Sequence, residues 1–348
     1  MRRRFASMIG LAAVIAIVAL ASAPVMGQAP APAAKTATQL RTAWGHPNLQ
    51  GVWASNSATP LERPKILAGK QVLSDAELAA LKEAAAELFD GDTDAAFGDS
   101  VFEAALSKAK TFTSRDTGTG NYNHFWLVER NFDNRTALIV DPPDGRLPPM
   151  TPEGLKRQTE AADRRRFHPA DGPEDRNAGE RCLGGGVPMI GRGYNSNYQI
   201  LQTPDHVVIH MEMMHDTRII PLDGRPHLGK SVSGSLGDSR GRWEGDTLVV
   251  ETVNLGRSRG ASGSSSSMRL TERFKRAGAT MLEYEYTVND PATYTKPYTA
   301  MIRMTPTPGS GRIYEFACHE GNHGLVGILS GHRAQERAAE VRTNKTSK

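Results

Sequence analysis

Several chemistries are missing from this 348-residue chain. Gly184-Gly185-Gly186 is not followed by Lys-Ser or Lys-Thr, and no Gly-x-Ser-x-Gly bridges a strand and a helix. Phosphoryl transfer on a phosphate loop and serine-hydrolase chemistry on a nucleophile elbow are therefore excluded. Apolar runs are short. Met8 to Leu20 spans 13 residues, whereas a membrane-spanning helix needs about 20, and no later segment approaches that length. No cysteine follows this run to carry a lipid. Excess basic charge is also missing: Met1 to Gly27 holds three arginines and no acids, so without it the formal charge falls from +4 to +1. Nothing in the remaining charge balance argues for nucleic acid or an acidic membrane, which want clustered basic faces.

What is present begins with an export signal. Arg2-Arg3-Arg4 precedes the apolar run, and small residues with Pro24 lead to Gly27-Gln28-Ala29. This is the order of a cleavable signal peptide over residues 1–27, cut near Gly27 to Ala29. The Arg-Arg-x-Phe start admits twin-arginine export as well as the general route. The sequence thus places the mature protein in the periplasm or outside the cell, without a permanent membrane anchor. Cys182 and Cys318 are the only cysteines. In an oxidising compartment such a pair is read as one disulfide, with free thiols or a metal ligand as the alternatives. A bridge closing so long a loop contributes on the order of 4 kcal/mol in the chain-entropy model.

An Ala/Pro-rich flexible leader covers 28–42. A single domain over 43–333 and a charged tail over 334–348 complete the expected organisation. Ser74 and Glu77 form a capping box for a helix near 74–89, with Leu78, Leu81 and Leu88 on one face. Thr151-Pro152 opens a second helix near 151–166. Asp90 to Asp94 imitates the start of a calcium loop, but Ala95 and Val101 stand where the turn glycine and the bidentate glutamate belong. From Tyr198 the pattern becomes short alternating runs: 199–202, 206–213, 218–222, 247–253, 268–274, 281–288, 298–304 and 312–318, with earlier ones at 124–129 and 136–141. Turn residues separate them. The expected fold is mainly β (α+β), an antiparallel meander forming a barrel or sandwich with a few peripheral helices.

Three clusters carry more polar chemistry than packing requires. In the first, His210 and Glu212 share a strand face with Val208, lining a pocket or facing water. His215-Asp216 follows at the turn as an acid–base pair, a metal site or a self-bonded turn. Arg218 and His227 complete it as substrate-binding candidates. The second cluster, Gly237 to Asp246, offers Arg240 as an anion clamp or a hairpin brace. The third, Cys318-His319-Glu320-Gly321-Asn322-His323, spells His-Glu-x-x-His. A zincin needs that motif on a helix, but a β-like run leads into it and Gly321-Asn322 weakens a helix there. His319 and Glu320 therefore stand as site residues after a strand.

Longer motifs point to a family. Leu49-Gln50-Gly51-Val52-Trp53, Asp141-Pro142-Pro143-Asp144-Gly145-Arg146, Glu180-Arg181-Cys182, the run from Arg218 to His227, Gly237 to Leu248, Thr271-Glu272-Arg273-Phe274 and Cys318 to Asn322 together resemble an abundant family of uncharacterised exported bacterial proteins from soil and other environments. The resemblance covers nearly all of the mature chain and implies export but no particular activity. It also implies an aromatic residue at the position of His323. Gly51-Val52-Trp53 separately resembles the start of a lipocalin-type barrel.

Two functions follow as expectations. One is a hydrolase or lyase acting on a small polar or carbohydrate-like substrate, with His215, Asp216, His319 and Glu320 supplying acid–base groups. In that reading Arg218, Arg240, His227 and Glu212 hold the substrate, and His215 and His319 are candidate ligands of a divalent metal cofactor. The other is a lipocalin-like protein that binds a small molecule without transforming it. N-terminal sequencing of the exported protein should begin between residues 28 and 30; a start at Met1 would remove the signal peptide.

Overall fold

The computed structural model describes residues 40–90, 100–108, 130–191, 194–256, 264–307 and 311–346. The signal peptide, most of the leader, the acidic run at 91–94 and the expected strand at 124–129 lie outside them. Among the described residues, the strands are β1 (Gly51–Ala54), β2 (Ile139–Asp141), β3 (Asn197–Gln202), β4 (His206–Met211), β5 (Thr217–Pro221), β6 (Asp238–Glu244), β7 (Thr247–Val253), β8 (Arg269–Arg276), β9 (Leu282–Asn289) and β10 (Tyr298–Pro306). The helices are α1 (Asp75–Asp90), α2 (Ser100–Leu106), α3 (Pro152–Phe167) and α4 (His323–Thr346).

Alternation explains the sheet. In β9, Leu282, Tyr284, Tyr286 and Val288 are fully buried, while Glu283, Glu285 and Thr287 face outward, the period of two that a strand with one wet face requires. The strands order as β5-β4-β3-β1-β10-β9-β8-β7-β6, with β2 added beside β10. Every ladder is antiparallel. The sheet curls into a nearly closed barrel whose outermost strands, β5 and β6, meet through side chains. Arg218 of β5 donates to Ser239 Oγ of β6 at 3.1 Å. Beside it, Ile220 and Leu222 lie over Gly241, where an added Cβ would fall 2.9 and 2.7 Å from them. Glycine is thus what lets the two edges approach, and the seam hides backbone that an open edge would expose.

The far mouth is stoppered by the segment before β1. Leu49 is buried, its N–H donates to Gln202 at 2.6 Å, and the Trp53 indole donates to the Leu49 carbonyl at 2.8 Å. Arg276 covers the Trp53 ring, 5.3 Å from its centroid.

The helices are peripheral. Ser74 and Glu77 make the expected capping box, Ser74 N–H to Glu77 Oε2 at 2.9 Å and Glu77 N–H to Ser74 Oγ at 3.3 Å. Lys70 and this cap hold the Glu77 carboxyl down to about 2. Leu81 and Ala85 of α1 pack with Phe102 of α2 into a second, small core. Thr151 caps α3 by accepting from Gly154 N–H at 3.0 Å.

The structure departs from the sequence reading at three places. Residues 312–318 form no strand: β10 already pairs with β1, β9 and β2, and β5 and β6 are sealed against each other, so no edge remains for the run to join. Conversely, Asp238 to Glu244, read as a loop, is strand β6. Its inward positions hold Ser239 and Gly241, small residues that meet the seam rather than the apolar residues a core strand advertises. The terminal helix also begins at His323, within the stretch assigned to the domain and ahead of the charged tail over 334–348. Gly241→Val should cost about 1–3 kcal/mol through overpacking at the seam; equal denaturant midpoints for the variant and the parent protein would show that the seam is loose.

Candidate site at the barrel mouth

Side chains fill the barrel interior, with Phe274, Tyr284 and Tyr286 fully buried at its centre. Among them lies an ion pair. Arg218 reaches from β5 to Glu272 on β8, Nη1 to Oε1 at 2.9 Å and Nη2 to Oε2 at 2.5 Å. Nη2 also donates to Thr252 Oγ1 of β7 at 3.1 Å, while Nε is buried without a partner. Burial alone would lower the Arg218 pKa, but the charge and hydrogen bonds of Glu272 outweigh it and raise it. The Tyr284 hydroxyl of β9 donates to Glu272 Oε1 at 2.9 Å. Burial first, then the Glu272 charge, push this phenol well above its ordinary range.

The network holds a loop. Met189 N–H donates to Tyr284 Oη at 3.0 Å, so the chain around Val187–Ile190 is hung from the barrel interior. Between this loop and the strand ends lies a cavity of about 320 Å³, within the range that small-molecule sites occupy. Leu61, Leu147, Val187, Ile190, Met211 and Met213 supply an apolar wall, and Gly185 and Gly186 bring backbone to its edge. Asn195, Ser196, Tyr198, Tyr294 and Tyr298 supply the polar atoms.

Tyr294 and Tyr298 stand edge to face, centroids 5.6 Å apart. Both are more than nine-tenths buried, yet neither hydroxyl is hydrogen-bonded to the described residues. Burial raises the pKa of each. The charges of Asp290 and Glu62 add to this at Tyr294, and Tyr294 and Asp290 add to it at Tyr298. Both phenols therefore stay protonated and able to donate.

Backbone strain gathers here as well. Of the six described non-glycine residues with positive φ, Asn195 (46°) lines this cavity, Met214 (59°) and His215 (44°) follow Met213 of its wall, and Cys182 (54°) lies three residues before Gly185. Such conformations cost of order 1–3 kcal/mol each and persist where surrounding structure imposes them. Met214 and His215 belong to the short turn after β4, Met213–His215, whose first residue lines the cavity.

His215, expected as an acid–base group, is exposed on that turn. The carboxylate of Asp216 lies against Gly184, where a Cβ would fall 1.7 Å from Oδ2. The Cys182–Cys318 disulfide is formed, Cα to Cα 5.6 Å, so His319 and Glu320 leave the same bridge that precedes Gly184. Both are exposed, in a turn before α4. Asn322 explains why the His-Glu-x-x-His spacing is not helical: it caps α4 by accepting from Leu325 N–H at 3.3 Å, leaving His319 outside.

The remaining candidates are engaged elsewhere. Glu212 does not share the half-exposed face of His210. It turns inward and accepts from Asn197 Nδ2 at 2.7 Å. Arg218 is the interior strut and lines no part of the cavity. Arg240 is a brace, donating to Asp238 Oδ1 at 2.6 Å and to the Pro226 carbonyl at 3.2 Å. His227 bridges Asp238 at 2.8 Å and Glu251 at 3.1 Å, joining the segment after β5 to β6 and β7. These charged residues satisfy one another. The residues that form the cavity, Tyr294, Tyr298 and the two methionines, read in the sequence as core.

Fold and site together define an antiparallel β-barrel with a filled interior and a small-molecule-sized cavity at one mouth. Comparison of the chain with family models, with curated proteins and with solved structures finds no match.

Removing one partner of a buried ion pair leaves the other uncompensated. Glu272→Gln should therefore destabilise the protein by about 3–5 kcal/mol, whereas Arg218→Met with Glu272→Leu should recover much of that loss. Denaturant unfolding with the disulfide intact measures both; a Glu272→Gln loss within about 0.5 kcal/mol, the level of ordinary surface substitutions, would mean that the pair is not the strut described.

Proposed function

We propose that this is an exported small-molecule-binding protein whose ligand occupies the mouth cavity. The supporting observation is the pair of protonated phenols, Tyr294 and Tyr298, whose side chains are largely buried and whose hydroxyls, without a hydrogen-bond partner among the described residues, border a chamber walled mainly by apolar side chains. A phenol hydroxyl open to a cavity can donate one hydrogen bond, so the chamber suits a partner that accepts it. The partner has an apolar body and a neutral acceptor such as a carbonyl or ether, since an anion would meet the negative potential of Asp290 and Glu62 that already acts on the phenols. The space equals that of about ten water molecules at about 30 Å³ each. The disulfide fits a compartment outside the reducing cytosol. No helix of the described residues is long and apolar enough to cross a membrane.

A hydrolase or lyase reading keeps one specific support. The strained Met214-His215 pair presents His215 and Asp216 beside the loop that walls the cavity, a placement that lets an acid–base pair reach a ligand at the rim. In that case His215→Ala and Asp216→Asn abolish turnover and leave binding intact.

The neutral naphthyl ketone prodan reports the site by its fluorescence. One probe should bind per chain, and Met213→Trp, which fills the chamber, should remove binding. Tyr298→Phe, which deletes only the donor, should weaken it about 3- to 10-fold, the worth of a neutral hydrogen bond. Absence of prodan binding, or binding indifferent to Met213→Trp, contradicts the proposal.

A further inference from the structure

We propose that Asp171, His332 and Glu336 form a divalent-cation site, suited to zinc, that clamps α4 to the loop following α3. One imidazole and two carboxylates converge there, their donor atoms all within 4.8 Å of one another. His332 and Glu336 are four residues apart on α4 and so share a face of the helix. Asp171 comes from the other element.

The two spacings from His332 fit coordination better than hydrogen bonding. His332 Nε2 lies 3.5 Å from Asp171 Oδ1 and 3.4 Å from Glu336 Oε1, both longer than a good N–H···O bond. A tetrahedral zinc with bonds of about 2.0–2.1 Å places its ligand atoms about 3.3 Å apart. The second oxygen of Asp171 is occupied by His168 Nδ1 at 2.6 Å, which orients the carboxylate as outer partners of metal ligands do. Imidazole with carboxylate oxygens suits zinc, whereas magnesium and calcium favour all-oxygen sets. Arg333 reaches Glu336 Oε1 at 2.9 Å and the Ala170 carbonyl at 3.1 Å. Cation entry takes over the carboxylate and leaves Arg333 on the carbonyl.

The helix has use for such a clamp. No side chain of α4 from 323 to 343 is buried, so hydrophobic packing contributes little to its docking. It is tied by the Cys182–Cys318 bridge just before it, by Asn322 donating to the Glu180 carbonyl at 2.9 Å, and by Arg333. The cluster lies at the same crossing as Arg333, and a metal there fixes the helix midway along its length.

The test is titration of zinc chloride into untagged, chelator-treated full-length protein, followed by calorimetry and by hydrogen exchange of α4. One zinc should bind per chain and slow exchange across α4. His332→Ala and the conservative Asp171→Asn should each weaken binding by about tenfold or more, with unchanged circular dichroism. The double variant His319→Ala, His323→Ala, which removes the His-Glu-x-x-His donors, should bind as the parent does. No zinc uptake by the parent at sub-millimolar zinc, uptake unaffected by both His332→Ala and Asp171→Asn, or uptake lost in the His319, His323 variant overturns the proposal.

Discussion

The Arg218–Glu272 pair is the constraint around which the rest is arranged. A charge in a barrel interior is costly unless another charge and hydrogen bonds compensate it, and compensating Arg218 takes groups from four strands beyond its own. Ser239 comes from β6, Thr252 from β7, Glu272 from β8 and, through that carboxylate, Tyr284 from β9. One guanidinium thus fixes the relative positions of five strands and crosses the seam where β5 and β6 have no backbone ladder between them. A barrel of the same topology with an all-apolar centre would lack this cross-piece at the join between β5 and β6.

The pair also determines where the empty space lies. Tyr284 occupies the centre with its hydroxyl committed on both sides, accepting from Met189 and donating to Glu272. The loop around Val187–Ile190 is drawn into the mouth by that hydrogen bond, and the disulfide at Cys182 holds the chain five residues upstream. What remains between loop and strands is a chamber floored by Tyr198, Met211 and Tyr298. Methionine, flexible and polarizable, adapts to irregular occupants. In the proposed binding role, the protonated phenols would orient an occupant held mainly by apolar contacts.

The sequence showed the sheet more clearly than the site, for reasons visible in single elements. β9 alternates apolar and polar residues over most of its eight positions and β10 alternates buried and half-buried ones, and that period of two marks a strand with one wet face. β6 was hidden because a seam strand places serine and glycine inward. The run at 312–318 misled because alternation announces a strand but not a free edge to receive it. The polar clusters of the sequence single out histidines, acids and arginines, and several of these satisfy one another in braces such as Arg240 with Asp238. The cavity is built from tyrosines and methionines in core-like positions and from a glycine loop, and only the three-dimensional path of that loop converts core residues into a chamber. The cysteine pairing was legible because a chain with two thiols and an export-like start leaves each thiol one intramolecular partner.

Methyl resonances of the methionines test the central claim most directly, because Met211 and Met213 line the chamber while Met268 and Met304 are buried in the barrel away from its lining. With isotopically labelled methyl groups, addition of prodan should shift the Met211 and Met213 signals and leave those of Met268 and Met304 in place. Shifts confined to Met268 and Met304, or none at all, would contradict the placement of a ligand site at this mouth.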